Sequence, residues 1–138
     1  MATENFNDYL KRRFAASDAF VNGDIEPLIE VSASEEPASI FGPMGGCVFG
    51  VEKVNAVNTA GAKAFAPGAE NEFEEFHQSS DGKLGYWTGI QRSKVIFKGK
   101  DETVPMALRL TEIYRRDDDG WKLIHRHADT KVEKAEKA

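Results

Sequence analysis

Two histidines and an aspartate near the C-terminus, His125, His127 and Asp129, occupy alternate positions in a run that begins with Trp121 and Leu123. Successive side chains of a β-strand point to opposite faces, so a strand here would place all five on one face. An apolar start and a polar end suit a pocket with an apolar floor and a polar mouth. Imidazoles and carboxylates move protons, and we therefore predict Asp129 and His127 as acid–base residues.

The two histidines also allow a metal site. Alternate residues on a strand are roughly 6.5–7 Å apart, which is a long span for two ligands of one ion. A third ligand would be needed, with His77 and Asp129 as the available donors, and the spacing does not direct His77 to the pair. We favour an alternative in which one histidine hydrogen-bonds the neighbouring strand and the other lines a cavity, and we expect neither a metal nor a cofactor.

Arg109 and Thr111 would share one face of the strand that precedes the histidine-containing strand. A guanidinium buried inside the protein would need a carboxylate such as Asp129, or an anionic ligand. The alternative is an arginine in solvent on an exposed face, and alternation alone leaves both open. Trp87 and Tyr86 point to opposite faces of another run, so one of them lies inside the protein.

The composition indicates one globular domain. The 138 residues are 41% hydrophobic and include nine Phe, enough for a single core. The formal charge of -5 argues against a nucleic-acid-binding surface. Since Cys47 is the one cysteine and neither a secretory signal nor a membrane-spanning run is visible, we expect a cytoplasmic protein that binds neither nucleic acid nor membranes. The mixed-charge segment 131–138 is expected to fray into solvent.

Periodicity and turn residues divide the chain into helices followed by strands. Apolar spacing predicts helices over 3–23, 24–32 and 50–67, a short strand over 38–41, and four strands between 70 and 130. Turn-forming segments with Asp and Gly separate the four strands, as in an antiparallel meander. Three helices before a meander predict a segregated α+β fold, and a strongly bent sheet around one helix would leave a cone with a cavity at its open end.

The order of these elements resembles the nuclear transport factor 2-like superfamily, and within it the SnoaL-like and ketosteroid isomerase-like branch. The resemblance is carried by segments 18–25, 40–46, 51–54, 109–111 and 120–127, the last with a Gly-Trp-Lys and a His-x-His pattern. It implies a cystatin-like cone: three N-terminal helices packed on a strongly curved, mainly antiparallel sheet, in a single domain over 1–130. It also implies a homodimer through the exposed face of the sheet. The superfamily includes enzymes and association domains, so the resemblance specifies the fold far better than the function.

Ketosteroid isomerase gives a sharp test of that resemblance, because its reaction needs a carboxylate base and a tyrosine that stabilises the oxyanion. Alignment to the family pattern places Ala16 at the tyrosine position and Gly42 at the base position. Neither residue has the required chemistry, so we do not expect this reaction. In association domains of the superfamily an arginine near the position of Arg109 or Thr111 binds carboxylates, which implies an inward side chain there.

We predict a cavity that binds a small, partly apolar organic molecule. Its expected lining is Trp87, Arg109, Thr111, His125, Phe41 and Phe20. If the domain is an enzyme, the expected chemistry is cofactor-independent isomerisation, dehydration or cyclisation, with Asp129 and His127 as acid–base residues and Arg109 facing developing negative charge. The alternative is a non-catalytic dimeric association module.

Overall fold

The structure is a computed structural model that describes residues 4–130, and the segment 131–138 predicted to fray lies outside them. Three helices precede or interrupt six strands, so the predicted α+β class is confirmed. In chain order the elements are α1 (Phe6–Phe20), α2 (Glu26–Val31), β1 (Ser39–Phe41), β2 (Cys47–Phe49), α3 (Val51–Lys63), β3 (Phe65–Ser80), β4 (Leu84–Phe97), β5 (Val104–Asp117) and β6 (Gly120–Asp129). Within the described residues no helix is both long and apolar enough to cross a membrane.

Helix α1 begins with a side-chain cap and packs one face on the sheet. The Asn5 side chain accepts a hydrogen bond from the Asp8 backbone N–H at 2.8 Å, which satisfies one of the free donors of the first turn. The buried residues recur at steps of three and four: Phe6, Tyr9, Leu10, Arg13, Ala16 and Ser17. Arg13 therefore lies on the buried face, although the apolar pattern of the sequence did not include it.

The sheet is mixed, with strand order β2-β1-β6-β5-β4-β3. Strands β3 to β6 form the predicted antiparallel meander, while β1 runs parallel to β6. The third helix was predicted to continue to residue 67, but it ends at Lys63 because Phe65 already pairs with Phe97 and packs in a core cluster with Val21 and Val95. Strand β2, for which the sequence predicted no element, pairs antiparallel with β1.

A β-bulge in β6 changes which side chains face the helices. Tyr114 pairs with Leu123 while its neighbour Ile113 pairs with His125, so Ile124 is an extra residue in β6. One extra residue exchanges the faces of all side chains that follow it. Trp121 and Leu123 are buried under α1, whereas the side chains of His127 and Asp129 lie on the opposite, outer face of the sheet. The predicted common face of the five residues is therefore wrong.

Candidate functional site

A cavity of about 90 Å³ lies between the three helices and the inner face of the sheet. Its apolar wall includes Phe20, Val21, Leu28, Val54, Phe65 and Leu108. Its polar wall includes Arg13, Ser17, Gln91, Ser93 and Arg126, contributed by α1, β4 and β6. The lining thus combines hydrocarbon with hydrogen-bonding groups and two guanidinium groups.

A buried carboxylate organises the polar wall. Glu112 is 1% exposed, and its Oε2 accepts hydrogen bonds from Arg13 Nη2 and Arg126 Nη1, each at 2.6 Å. Its Oε1 accepts from Arg13 Nε at 3.1 Å, from Trp87 Nε1 at 2.9 Å and from the Tyr114 hydroxyl. We call these five residues the Glu112 cluster. The cluster joins α1 to three neighbouring strands, so it fixes the helix against the sheet.

The electrostatics of the Glu112 cluster keep its carboxylate ionised. Burial alone would raise the pKa of Glu112, but the charges of Arg13 and Arg126 outweigh burial and hold that pKa well below its usual range. Burial, with the charge of Glu112 second, raises the pKa of the Tyr114 hydroxyl, which stays protonated and donates. An anion that accepts five hydrogen bonds has little remaining basicity, so Glu112 is a structural anion and not a proton acceptor.

A chain of amides continues from the cluster along the polar wall. Arg126 Nη2 donates to Gln91 Oε1 at 3.3 Å, and Gln91 Nε2 donates to Ser17 Oγ at 3.1 Å and to Asn71 Oδ1 at 2.9 Å. Asn71 Nδ2 in turn donates to Ser17 Oγ at 3.4 Å and to Asp18 at 2.8 Å. Each polar side chain here is oriented by at least one other, which holds the wall in one arrangement.

The structure separates the residues predicted for the cavity. Phe20 and His125 lie at its wall. Trp87 is fully buried behind the wall, where its indole belongs to the Glu112 cluster. Phe41 packs edge-on against the rings of His125 and His127, at centroid distances of 4.7 and 5.4 Å.

The remaining predicted residues come together on the other side of the sheet. Arg109, Thr111, His127 and Asp129 line a shallow groove of about 290 Å³ on the outer face. Arg109 donates to both oxygens of Asp129, at 2.6 and 2.7 Å, and more than half of its side chain is exposed. Their predicted placement in the cone is wrong for two reasons. On β5 the inward residues are Leu108, Leu110 and Glu112, so Arg109 and Thr111 face outward. On β6 the bulge at Ile124 turns His127 and Asp129 to the same outer face.

His125 borders the cavity, but its imidazole points to the outer face of the sheet. It pairs with the exposed Ile113, and its ring packs against Phe41 together with that of His127. Its Nδ1 shares a hydrogen bond with Ser39 Oγ at 2.7 Å. Burial, and next the charge of His127, lower the pKa of His125 below its usual value, so the ring is mostly neutral at pH 7. His77, considered as a metal ligand, instead bonds the Tyr86 hydroxyl at 2.8 Å, and within residues 4–130 no three His, Cys, Asp or Glu side chains converge as a metal site.

The residues that sequence reasoning missed are those of the polar wall. Glu112 stands between Leu110 and Tyr114 on one strand face, and an acid between two buried apolar residues signals a paired buried charge. Arg13 occurs on the apolar stripe of α1 in the same way. Arg126 was passed over as the residue between two histidines, because its inward direction depends on the bulge.

A sheet that wraps around one helix and encloses a cavity beside it is the architecture of the nuclear transport factor 2-like class, and the comparisons agree. A model of the SnoaL-like domain matches residues 13–130, so the chain belongs to the SnoaL-like family. No protein of curated function matches the chain. The family is thereby fixed, while no relative supplies an activity.

Solved structures support the same fold at low identity. A nuclear transport factor 2 (NTF2-like) superfamily protein from Salmonella enterica has a TM-score of 0.75 at 10% identity, over 92% of this chain and 89% of that chain. A ketosteroid isomerase-like protein from Erwinia carotovora atroseptica has a TM-score of 0.71 at 16% identity, over 95% and 99%. A structure from Xanthomonas campestris, provisionally named a calcium/calmodulin dependent protein kinase II association domain, has a TM-score of 0.72 at 12% identity, over 96% and 94%.

Proposed function

We propose that this SnoaL-like domain binds a small, partly apolar organic molecule in the cavity between α1 and the sheet. The observation that carries the proposal is a cavity lining that combines hydrocarbon side chains with polar groups held in place by the Glu112 cluster. Ligand sites combine apolar walls with a few fixed polar groups in this way. The volume of about 90 Å³ is small beside the roughly 300–1,000 Å³ of sites for drug-sized ligands, so the ligand has few heavy atoms.

Catalysis in this cavity would be proton transfer without a cofactor, as in isomerisation, dehydration or cyclisation. The bulge in β6 turns the imidazole of His125 to the outer face together with that of His127, so we assign neither ring a step in the cavity. Ala16 and Gly42, at the positions aligned with the acid–base groups of ketosteroid isomerase, supply no such group. The carboxylate of Asp129 lies on the outer face, paired with Arg109, so we assign no step in the cavity to it.

Filling the cavity should abolish ligand binding. Ser93 lines the cavity from β4 and is 8% exposed, so Ser93→Phe projects a ring into the space a ligand would use. Fragments that bind the native protein in ligand-observed NMR should lose their signal with this variant. Thr111→Phe is the matched control, because Thr111 lies in the outer groove, and it should leave binding unchanged. Loss of binding in the Thr111 variant with retention in Ser93→Phe would contradict the proposal.

A second candidate is a homodimeric association module, and the outer face of the sheet favours it. Phe76 on β3, Leu84 on β4 and Ile113 on β5 are large hydrophobic side chains that are 55%, 50% and 37% exposed. Apolar side chains at the surface of a sheet are characteristic of an association surface. The name of the Xanthomonas campestris structure, an association domain, agrees with this second proposal.

Charge on the outer face should dissociate the proposed dimer. The double variant Phe76→Lys and Ile113→Lys places two ammonium groups where the two sheets would meet, and sedimentation velocity should show the mass fall from dimer to monomer. Val57→Lys is a matched control, because Val57 is a 46% exposed residue of α3, away from the sheet surface. A monomeric native protein, or a dimer that both variants retain, would contradict an association surface here.

A further inference from the structure

The cavity has more positive than negative charge. Two guanidinium groups, Arg13 and Arg126, line it, and the carboxylate that pairs with both is Glu112 alone. Two positive charges and one negative charge leave a net charge of +1. His125, the remaining titratable group at the wall, is mostly neutral at pH 7, and it adds no negative charge. Because two guanidinium groups share one carboxylate, the cavity attracts a negatively charged ligand more than a neutral one.

The excess charge belongs to Arg126. Arg13 engages both oxygens of Glu112 through its Nε and Nη2, and its side chain is 4% exposed. Arg126 gives Glu112 one bond through Nη1 and gives Gln91 one longer bond through Nη2, and its side chain is 21% exposed. These two bonds occupy two of the five N–H groups of a guanidinium, so Arg126 keeps donors for a ligand.

Ser17 supplies a second donor. Its Oγ accepts hydrogen bonds from Gln91 Nε2 and Asn71 Nδ2, which use both lone pairs of a hydroxyl oxygen. Among the described residues no carbonyl accepts the hydrogen of this hydroxyl, although Ser32 bonds the carbonyl of Leu28 in that way. Ser17 is 4% exposed and lines the cavity, so its O–H can donate to a molecule that occupies the cavity.

We propose that the molecule bound in the cone is a small hydrophobic monocarboxylic acid, with its carboxylate on Arg126 and the Ser17 hydroxyl and its hydrocarbon part against Leu108, Phe20 and Val54. This inference rests on the proposed function, since it names the ligand class of the same cavity. A carboxylate has the planar geometry that a guanidinium fork recognises, and one negative charge balances the cavity. A neutral ligand would gain less from the guanidinium of Arg126 than an anion does.

The test is the binding of three acids, benzoate, cyclohexanecarboxylate and 3-methylbutanoate, against their three amides, followed in ¹H–¹⁵N NMR spectra of the native protein. At least one acid should bind about tenfold or more tightly than its amide and shift the side-chain N–H signals of Arg126. Arg126→Gln should remove that preference, while Arg109→Gln, on the outer face, should keep it. Glu112 still pairs with Arg13 in the first variant, so the fold is retained.

The outcomes separate the inference from the proposed function. Amides that bind in the cavity as tightly as their acids would overturn the acid inference and leave small-molecule binding standing. Acids that bind only at the outer groove, with a preference removed by Arg109→Gln, would overturn both, and so would a cavity that neither acids nor amides enter. Ser17→Ala is a second variant that leaves the charges in place. It should weaken the binding of the acids several-fold and that of the amides less.

Discussion

Replacement of Glu112 by alanine should lower the free energy of unfolding by about 3–5 kcal/mol, because it leaves two guanidinium groups at the cavity without their anion. Arg13 would lose both of its bonds to the carboxylate while it remains 3% exposed, and the Trp87 indole and Tyr114 hydroxyl would lose their acceptor. Urea unfolding followed by circular dichroism measures the change. Since Arg13 joins α1 to the sheet through this carboxylate, we also expect loss of ligand binding.

Glu74→Ala is the matched control for that experiment. Glu74 forms an ion pair with Arg92 at 2.6 Å, but both side chains are about half exposed, and such surface pairs contribute roughly 0–1 kcal/mol. If the two glutamate variants lose similar stability, the Glu112 cluster is not the anchor of the helix.

The Glu112 carboxylate also determines how the stability of the fold depends on pH. The pKa of Glu112 is lowered in the folded protein, because the charges of Arg13 and Arg126 outweigh its burial. Its contribution to stability is therefore complete above the unfolded pKa of about 4.5 and is lost as the pH falls below that value. Glu112→Gln, which cannot titrate, should show a weaker fall in stability from pH 5 downward than the native protein.

Gly89→Ala should lower the free energy of unfolding by about 3 kcal/mol, near the upper end of the usual cost of overpacking. A Cβ at this position would lie 2.0 Å from the backbone oxygen of Glu74 and 2.8 Å from the Trp87 ring. The oxygen belongs to the paired strand β3, beside the bulge between Glu75 and His77, so it cannot move without loss of strand pairing. Glycine is required there because the two backbones approach closely where the sheet bends.

Thermal unfolding of Gly89→Ala against Gly42→Ala measures this effect. In the described part of the chain a Cβ at Gly42 meets no heavy atom of a non-adjacent residue within 4 Å, so that variant should unfold close to the native temperature. A Gly89 variant as stable as the Gly42 variant would show that β3 and β4 do not approach as closely as the structure has them.

The strand alternation runs through β4 and β5 without interruption, because no bulge breaks their pairing with each other, but it left open which face of each strand looks inward. Trp87 follows that alternation, and it is inside as one of the two alternatives required. The alternation failed for β6 because the extra residue, Ile124, leaves no mark in the sequence: an isoleucine suits a strand with or without a bulge. That single residue decides whether Arg126 or the histidines beside it face the helices.

Only part of the polar wall of the cavity could be predicted from the sequence. A glutamate between Leu110 and Tyr114 and an arginine on the apolar stripe of α1 are visible in the sequence, and together they predict a buried ion pair between helix and sheet. The sequence did not show that Arg126 is their partner, because the direction of its side chain depends on the register of β6. The assignment of Arg109 to a cavity rested on the resemblance and failed because Leu108 and Leu110 are the inward residues of β5. Its pairing with Asp129, considered from the sequence, occurs on the outer face.

The most direct test of the cavity as the ligand site is a crystal structure of the protein as purified, at a resolution that shows bound small molecules. We expect electron density for a compact molecule between Arg126, Ser17 and Leu108, with a planar acid group at hydrogen-bonding distance from the guanidinium. A cavity filled by its own side chains, with a ligand or a second copy of the chain seated only on the outer face beside Arg109 and Asp129, would contradict the account.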